Sequence, residues 1–220
     1  MAAAHAGRFI TLEGPEGAGK STQLKLLLPW LASLGYACVG TREPGGTAAG
    51  DRIRAALFEG GEHGMLGLTE AFLVNAARAQ HVRELLLPAL AAGKLVLSDR
   101  YADATLAYQG YGHGVQLATL RQLVAIASAG LTPDLTLYLD VPVEQGLARK
   151  AAGSTRGEEL NQFDQLDVDF HRRVVAGYRA LIAAEPARWR VVDAAQPAAM
   201  VQQGLRAALL PALPAPAPAQ

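Results

Sequence analysis

The stretch EGPEGAGKST, Glu13 to Thr22, decides how the chain is to be read. It follows the apolar run RFITL and precedes QLKLLLPWL, so a short strand leads into it and a helix leaves it. Gly14 to Ser21 fits the pattern G-x-x-x-x-G-K-[ST]. Glycines at that spacing let the backbone wrap so that successive N–H groups face phosphate oxygens. The helix opening at Lys20 adds its positive dipole end. Lys20 is placed to reach β- and γ-phosphates, and Ser21 to offer its hydroxyl to Mg²⁺. Ordinary composition produces such a match in on the order of one chain in a hundred; the strand-to-helix context makes a plain glycine turn the weaker reading.

Outward from the loop, short β-like runs alternate with longer helical ones. The strand candidates are RFITLE (8–13), YACVGT (36–41), KLVLSD (94–99), DLTLYLD (134–140) and WRVVDA (189–194). They are almost continuously apolar, as strands buried on both faces are. Between them run helical patterns such as KSTQLKLLLPWLASLG, ended by Gly35, and TEAFLVNAARAQHVRELLLPALAAG, ended by Gly93. This alternation predicts an α/β fold with a parallel sheet covered by helices. Ligands in such sheets sit beyond the carboxyl ends of the strands. Chemistry is therefore expected at Gly14–Ser21, Arg42–Thr47, Asp99–Gly112 and after Asp140.

Bulk properties narrow the class. The 220 residues fit one domain, and with 50% hydrophobic and 18% charged residues the chain is expected to be globular. Twenty basic and twenty acidic residues leave no net charge, which gives no support to a nucleic-acid or membrane-surface partner. Cys38 is the only cysteine, so no internal disulfide can form and a reducing, cytoplasmic setting is expected. Its expected role is that of a small buried hydrophobe. The start MAAAHAG lacks the charge and apolar run of a signal peptide. Pro88, Gly93 and Lys94 interrupt the longest apolar stretch, so no membrane span is expected. The tail PALPAPAPAQ (211–220) is Pro/Ala-rich and is expected to lack structure.

A nucleotide loop serves switches, motors and kinases alike. The chain carries no N-K-x-D base-reading motif of a GTPase and is short for a motor. A small kinase fits, and it needs a second nucleotide site with arginines to offset the phosphate charge. SDRYADATLAYQGYG (98–112) and TREPGGT (41–47) supply candidates at strand ends. Asp99 is placed to hold Mg²⁺ through water and Arg100 to grip phosphate, although an Asp-Arg pair is also a common structural ion pair. Arg52 and Arg54 follow on a helix pattern. Arg78 lies on an apolar helix face, where it needs a partner or a ligand.

In order and spacing, EGPEGAGKST, TREPGGT, AARAQHV, DRYADATLAYQGYG and PDLTLYLDV together resemble the thymidylate kinase family, over about residues 8–195. The resemblance implies the P-loop kinase fold, a five-stranded parallel sheet with helices on both faces. It implies one domain over 1–210 with a lid at about 148–165, and transfer of the ATP γ-phosphoryl to dTMP in a cytoplasmic homodimer. Gly14, Pro15, Glu16, Gly17, Ala18, Gly19, Lys20, Ser21 and Thr22 would hold ATP, with Ser21 and Asp99 serving Mg²⁺. Glu16, Arg42, Arg54, Val74, Arg78, Arg100, Thr105, Tyr108 and Gln109 would hold dTMP, with Arg78, Thr105 and Gln109 at the thymine edge. One branch of the family carries a transition-state arginine in the phosphate loop, where this chain has Gly17; the lid charges Arg149, Lys150 and Arg156 are then the candidates. Val74 replaces the usual stacking phenylalanine, with Phe72 as a candidate substitute, and Gln162 replaces a lid arginine. The rival expectations are a kinase for another pyrimidine nucleotide and a nucleotide-binding regulator without turnover.

Overall fold

The computed structural model describes residues 6–59, 65–154 and 167–214. Five strands, β1 (Arg8–Glu13), β2 (Cys38–Arg42), β3 (Leu95–Asp99), β4 (Leu135–Asp140) and β5 (Trp189–Asp193), form one sheet in the order β2-β3-β1-β4-β5. Every pairing is parallel. The central strands β1, β3 and β4 are buried nearly throughout, as their apolar runs predict. The edge strands β2 and β5 are only partly covered. Cys38, on edge strand β2, is accordingly half-buried rather than buried, with its Sγ 3.5 Å from Tyr36 O.

Alternation along each strand divides the core. Ile10, Leu12, Leu97, Leu137 and Leu139 turn to one face, where α1 (Lys20–Ser33) and α9 (Ala198–Leu209) cover them. Phe9, Val96 and Tyr138 turn to the other. That face packs against the long helix α3 (Gly67–His81), which continues through a wide turn, Val82–Leu86, into α4 (Leu87–Ala91). It also receives α6 (Leu117–Ser128) and α8 (Val168–Ala184). Helices α2 (Ala48–Glu59), α5 (Ala102–Thr105) and α7 (Val143–Ser154) follow the ends of β2, β3 and β4.

Register aligns the carboxyl ends: Leu12 and Arg42 both pair with Asp99, and Glu13 with Tyr138. The phosphate loop, Arg42, Asp99 and Arg100 thus emerge at one edge, as the topology requires.

Two boundaries differ from expectation. The lid expected from residue 148 is helical through Ser154, because the Ala-, Arg- and Lys-rich stretch of α7 favours helix. Residues 155–165, with Arg156 and Gln162, lie outside the described residues. The tail is structured at 211–214: Leu210–Ala212 form a 3₁₀ turn, Leu213 packs on the core, and Tyr36 donates to Pro214 O over 2.5 Å. The remainder of the tail lies outside the described residues.

Candidate active site

The loop after β1 owes its shape to three glycines with positive φ: Gly14 (148°), Gly17 (67°) and Gly19 (86°). A Cβ at Gly17 would stand 1.9 Å from Gly146 O on α7, so an arginine at that position has no room in this chain. Gly19 caps α1 without a side-chain hydrogen bond, leaving the helix's first N–H groups for a ligand. Lys20 Nζ donates to Gly14 O (3.0 Å) and Pro15 O (2.8 Å). Burial, with Arg100 nearby, lowers its pKa to about 8.

A cavity of about 770 Å³ runs past this loop, within the usual range of small-molecule sites. Glu16 through Gln23 line one side. Gly14 and Pro15 lie behind that wall and act through their carbonyls on Lys20. Ser21 donates to Asp99 Oδ2 over 2.5 Å, and these two oxygens converge at the cavity. Asp99 therefore bonds to the phosphate-loop helix rather than to Arg100. Hard oxygens of this kind suit Mg²⁺, which keeps several waters and shares phosphate oxygens.

Arg100 sits at φ 70° just past β3. Its Nη2 donates to Glu16 Oε1 (2.7 Å) and to the Tyr108 hydroxyl (2.9 Å), and its Nη1 to Gly14 O (3.0 Å). Burial alone would raise the Glu16 pKa; Arg100, Lys20 and the Tyr108 hydroxyl more than offset it and hold the carboxyl at about 2. Behind Arg100, Tyr178 donates to the fully buried Glu13 over 2.7 Å.

The far half of the cavity is built by α2, α3 and the wide helical turn Leu106–Gly112. Thr105, Tyr108 and Gln109 share one face at i, i+3, i+4, and Val74 and Arg78 another at i, i+4. Arg78, 2% exposed, is fully partnered on Nε by Glu43 (2.8 Å) and on Nη2 by Tyr101 O and Thr105. Its Nη1 meets Asn75 Oδ1 over 2.8 Å and keeps one hydrogen. His81 bridges Glu43 (2.9 Å) and Thr41 (2.7 Å) behind it. Arg42, ion-paired with Asp51, and Arg54, bonded to Pro44 O, line the neck between the two halves.

Some expectations need correcting. Phe72 is 56% exposed and faces away from the cavity, so it is no substitute for the missing ring. Phe58 lines the cavity instead, with Arg54 Cζ 4.2 Å from its ring centroid. Arg149 does not hang free as a lid charge. It donates to Ala194 O (2.6 Å) and Ala195 O (2.8 Å), clamping the loop after β5 that lines the cavity beyond Gln23. Glu43 and His81 stand in the TREPGGT and AARAQHV stretches with no site role expected of them; the buried charge of Arg78 is the signal that a carboxylate lies nearby.

A phosphate loop at the end of the central strand, facing the arginine-lined far half of the same cavity, defines a P-loop kinase by fold and site. Residues 12–205 match the family model described as Thymidylate kinase. A thymidylate kinase of Roseiflexus castenholzii is 50% identical over 197 residues, 86% of each chain, and one of Thermomicrobium roseum is 51% identical over 88% of this chain and 90% of its own. The crystal structure of the Ehrlichia chaffeensis thymidylate kinase superposes with a TM-score of 0.74 at 30% identity, covering 92% of this chain and 98% of that one. The chain belongs to the thymidylate kinase family.

Proposed function

We propose that the protein transfers the γ-phosphoryl group of ATP to dTMP, giving ADP and dTDP, a step towards dTTP. The observation that carries this reading is one continuous cavity with the phosphate loop at one end and Arg78, Thr105 and Gln109 at the other. Its two halves meet at the Arg100–Glu16 pair.

Positioning and charge neutralisation supply the catalysis, with no covalent intermediate. Lys20 exchanges the carbonyls of Gly14 and Pro15 for phosphate oxygens as ATP enters. Ser21 and Asp99 would hold Mg²⁺, which would supply neutralisation of phosphate charge. Arg42, Arg54 and Arg100 grip the acceptor phosphate with guanidinium forks. Glu16 faces the sugar of dTMP, Tyr108 stands beside it, and Val74 with Phe58 walls the base.

The lone, half-buried Cys38 suits a reducing cytoplasm, and among the described residues no helix is long and apolar enough to cross a membrane. Helices α3 and α6 pack together and leave Leu68, Phe72 and Ile126 exposed. Apolar residues so placed suit the interface of a homodimer.

ADP release from Mg-ATP, measured with dTMP, dUMP, UMP, dCMP, AMP and no acceptor, tests the reaction. Turnover strongly favouring dTMP is expected. Equal rates for all pyrimidine nucleotides, or no ADP with any acceptor, would replace this reading.

A further inference from the structure

We infer that Glu70 is a positioning residue that fixes the hydrogen-bonding sense of the Gln109 amide and thereby selects an imide base over cytosine. The inference rests on the dTMP reading above. Glu70 lies one turn before Val74 on α3, is 2% exposed, and stands outside the cavity wall. Its Oε2 accepts from Gln109 Nε2 over 2.9 Å, and His113 Nε2 lies 3.2 Å from the same oxygen.

A carboxylate only accepts hydrogen bonds, so Gln109 can turn only its NH₂ towards Glu70. The flipped amide would set acceptor against acceptor in a buried place. The planar amide is thereby committed, and its other arm, Oε1, points off that contact. Oε1 meets no donor among the described residues, yet it is not one of the sealed polar atoms. It opens on the cavity that Gln109 lines.

The neighbouring groups are locked in the opposite sense. Arg78 Nη2 donates to Thr105 Oγ1 over 3.0 Å, which leaves the Thr105 proton free to donate. Glu43 and Asn75 hold the Arg78 guanidinium so that one Nη1 hydrogen remains. One acceptor therefore stands beside two donors. An imide edge, N–H flanked by carbonyls, complements that set. Cytosine keeps one carbonyl but puts a ring acceptor and an amino donor in place of the imide N–H and the other carbonyl, so it opposes Gln109 Oε1 and one of the two donors.

The test is kcat/KM for dTMP and dCMP at saturating Mg-ATP, in wild type, Glu70→Gln and Glu70→Asp, with thermal melts alongside. A glutamine at 70 can donate or accept, so Gln109 is released to show either arm. The dTMP:dCMP ratio in Glu70→Gln should fall at least about tenfold, mainly through KM for dTMP. Glu70→Asp remains acceptor-only and should keep a ratio nearer the wild type even where both activities fall. Equal losses on both nucleotides, an unmoved ratio, or an Asp variant as unselective as the Gln variant would overturn the inference. Should Glu70→Gln not fold, the wild-type Gln109 side-chain NH₂ must exchange slowly with D₂O; fast exchange overturns the inference. A wild type without preference for dTMP over dCMP overturns the dTMP reading itself, whereas a selective wild type with an unmoved variant ratio overturns only the role of Glu70.

Discussion

Arg100 Nη2 lies 2.7 Å from Glu16 Oε1, and the Tyr108 hydroxyl donates to that same oxygen over 2.9 Å. The end of β3 is thus pinned to the phosphate loop. With Gly14 O and the Tyr178 hydroxyl also accepting from Nη1, the guanidinium is oriented before any phosphate arrives. Arg100→Ala should lower kcat by about 10² to 10³, while the Kd for ATP, measured by calorimetry, stays within about threefold because Lys20 and the loop N–H groups remain. Unchanged turnover would remove Arg100 from the mechanism.

Lys20 gives the site a pH dependence. Its amine is held near a pKa of about 8 by burial and by Arg100, against an ordinary 10.5. Bound triphosphate favours the ammonium form, so ATP binding should take up a proton at pH 8 to 9. Calorimetry in two buffers of different ionisation enthalpy measures that uptake directly. Affinity should weaken as pH rises through 8, since the protein then has to be protonated in order to bind. Proton release, or none exchanged, would contradict this account of Lys20.

Much of this architecture is legible in the sequence, and the limits have physical causes. Gly14, Gly17 and Gly19 each need positive φ, and strands β1, β3 and β4 are apolar on both faces, so both features mark themselves locally. Arg42 and Arg100 are brought to one cavity by strand register, which parallel alternation implies. What stayed hidden depends on side-chain direction. Phe58 and Phe72 look alike in a helical pattern, but only their azimuth on α2 and α3 separates a cavity wall from an exposed face. The commitment of Arg149 to carbonyls 45 and 46 residues away has no local signature at all.

Arg149 provides the third prediction. Its guanidinium holds the carbonyls of Ala194 and Ala195 on the donor side of the cavity, and charge-assisted hydrogen bonds of this kind are worth about 1.5 to 3 kcal/mol each. Arg149→Ala should therefore raise KM for ATP about tenfold or more by loosening that loop, with kcat changed less than about threefold. Steady-state kinetics with ATP varied at saturating dTMP separates the two. A large fall in kcat at unchanged KM would return Arg149 to the transition state.

With Val74 offering no ring, Phe58 is the aromatic side chain nearest the role of a base wall. Aromatic contacts contribute about 0.5 to 1.5 kcal/mol beyond burial. Phe58→Ala should raise KM for dTMP about threefold to tenfold and leave KM for ATP unchanged. Val74→Phe should act in the reverse direction on dTMP. An unaltered KM in Phe58→Ala would show that the base does not rest on this ring.

Glu13 ties stability to the same site. It is fully buried between the Tyr101 N–H and the Tyr178 hydroxyl, each donating over 2.7 Å. Burial, with Asp103 adding repulsion, raises its pKa from 4.5 to about 8, partly offset by Arg100 and the two hydrogen bonds. Between those values the folded chain binds a proton that the unfolded chain releases, so stability falls as pH rises. The slope is at most about 1.4 kcal/mol per pH unit, and the loss levels off above 8. Glu13→Gln mimics the protonated acid, accepting from the Tyr101 N–H and donating to Tyr178, and it does not titrate. The variant's Tm relative to wild type should therefore climb from pH 5 to pH 8 and then flatten. A constant difference across that range would mean that Glu13 stays ionised, with Arg100 outweighing burial, and the Tyr178 hydroxyl would then face a fixed charge behind Arg100.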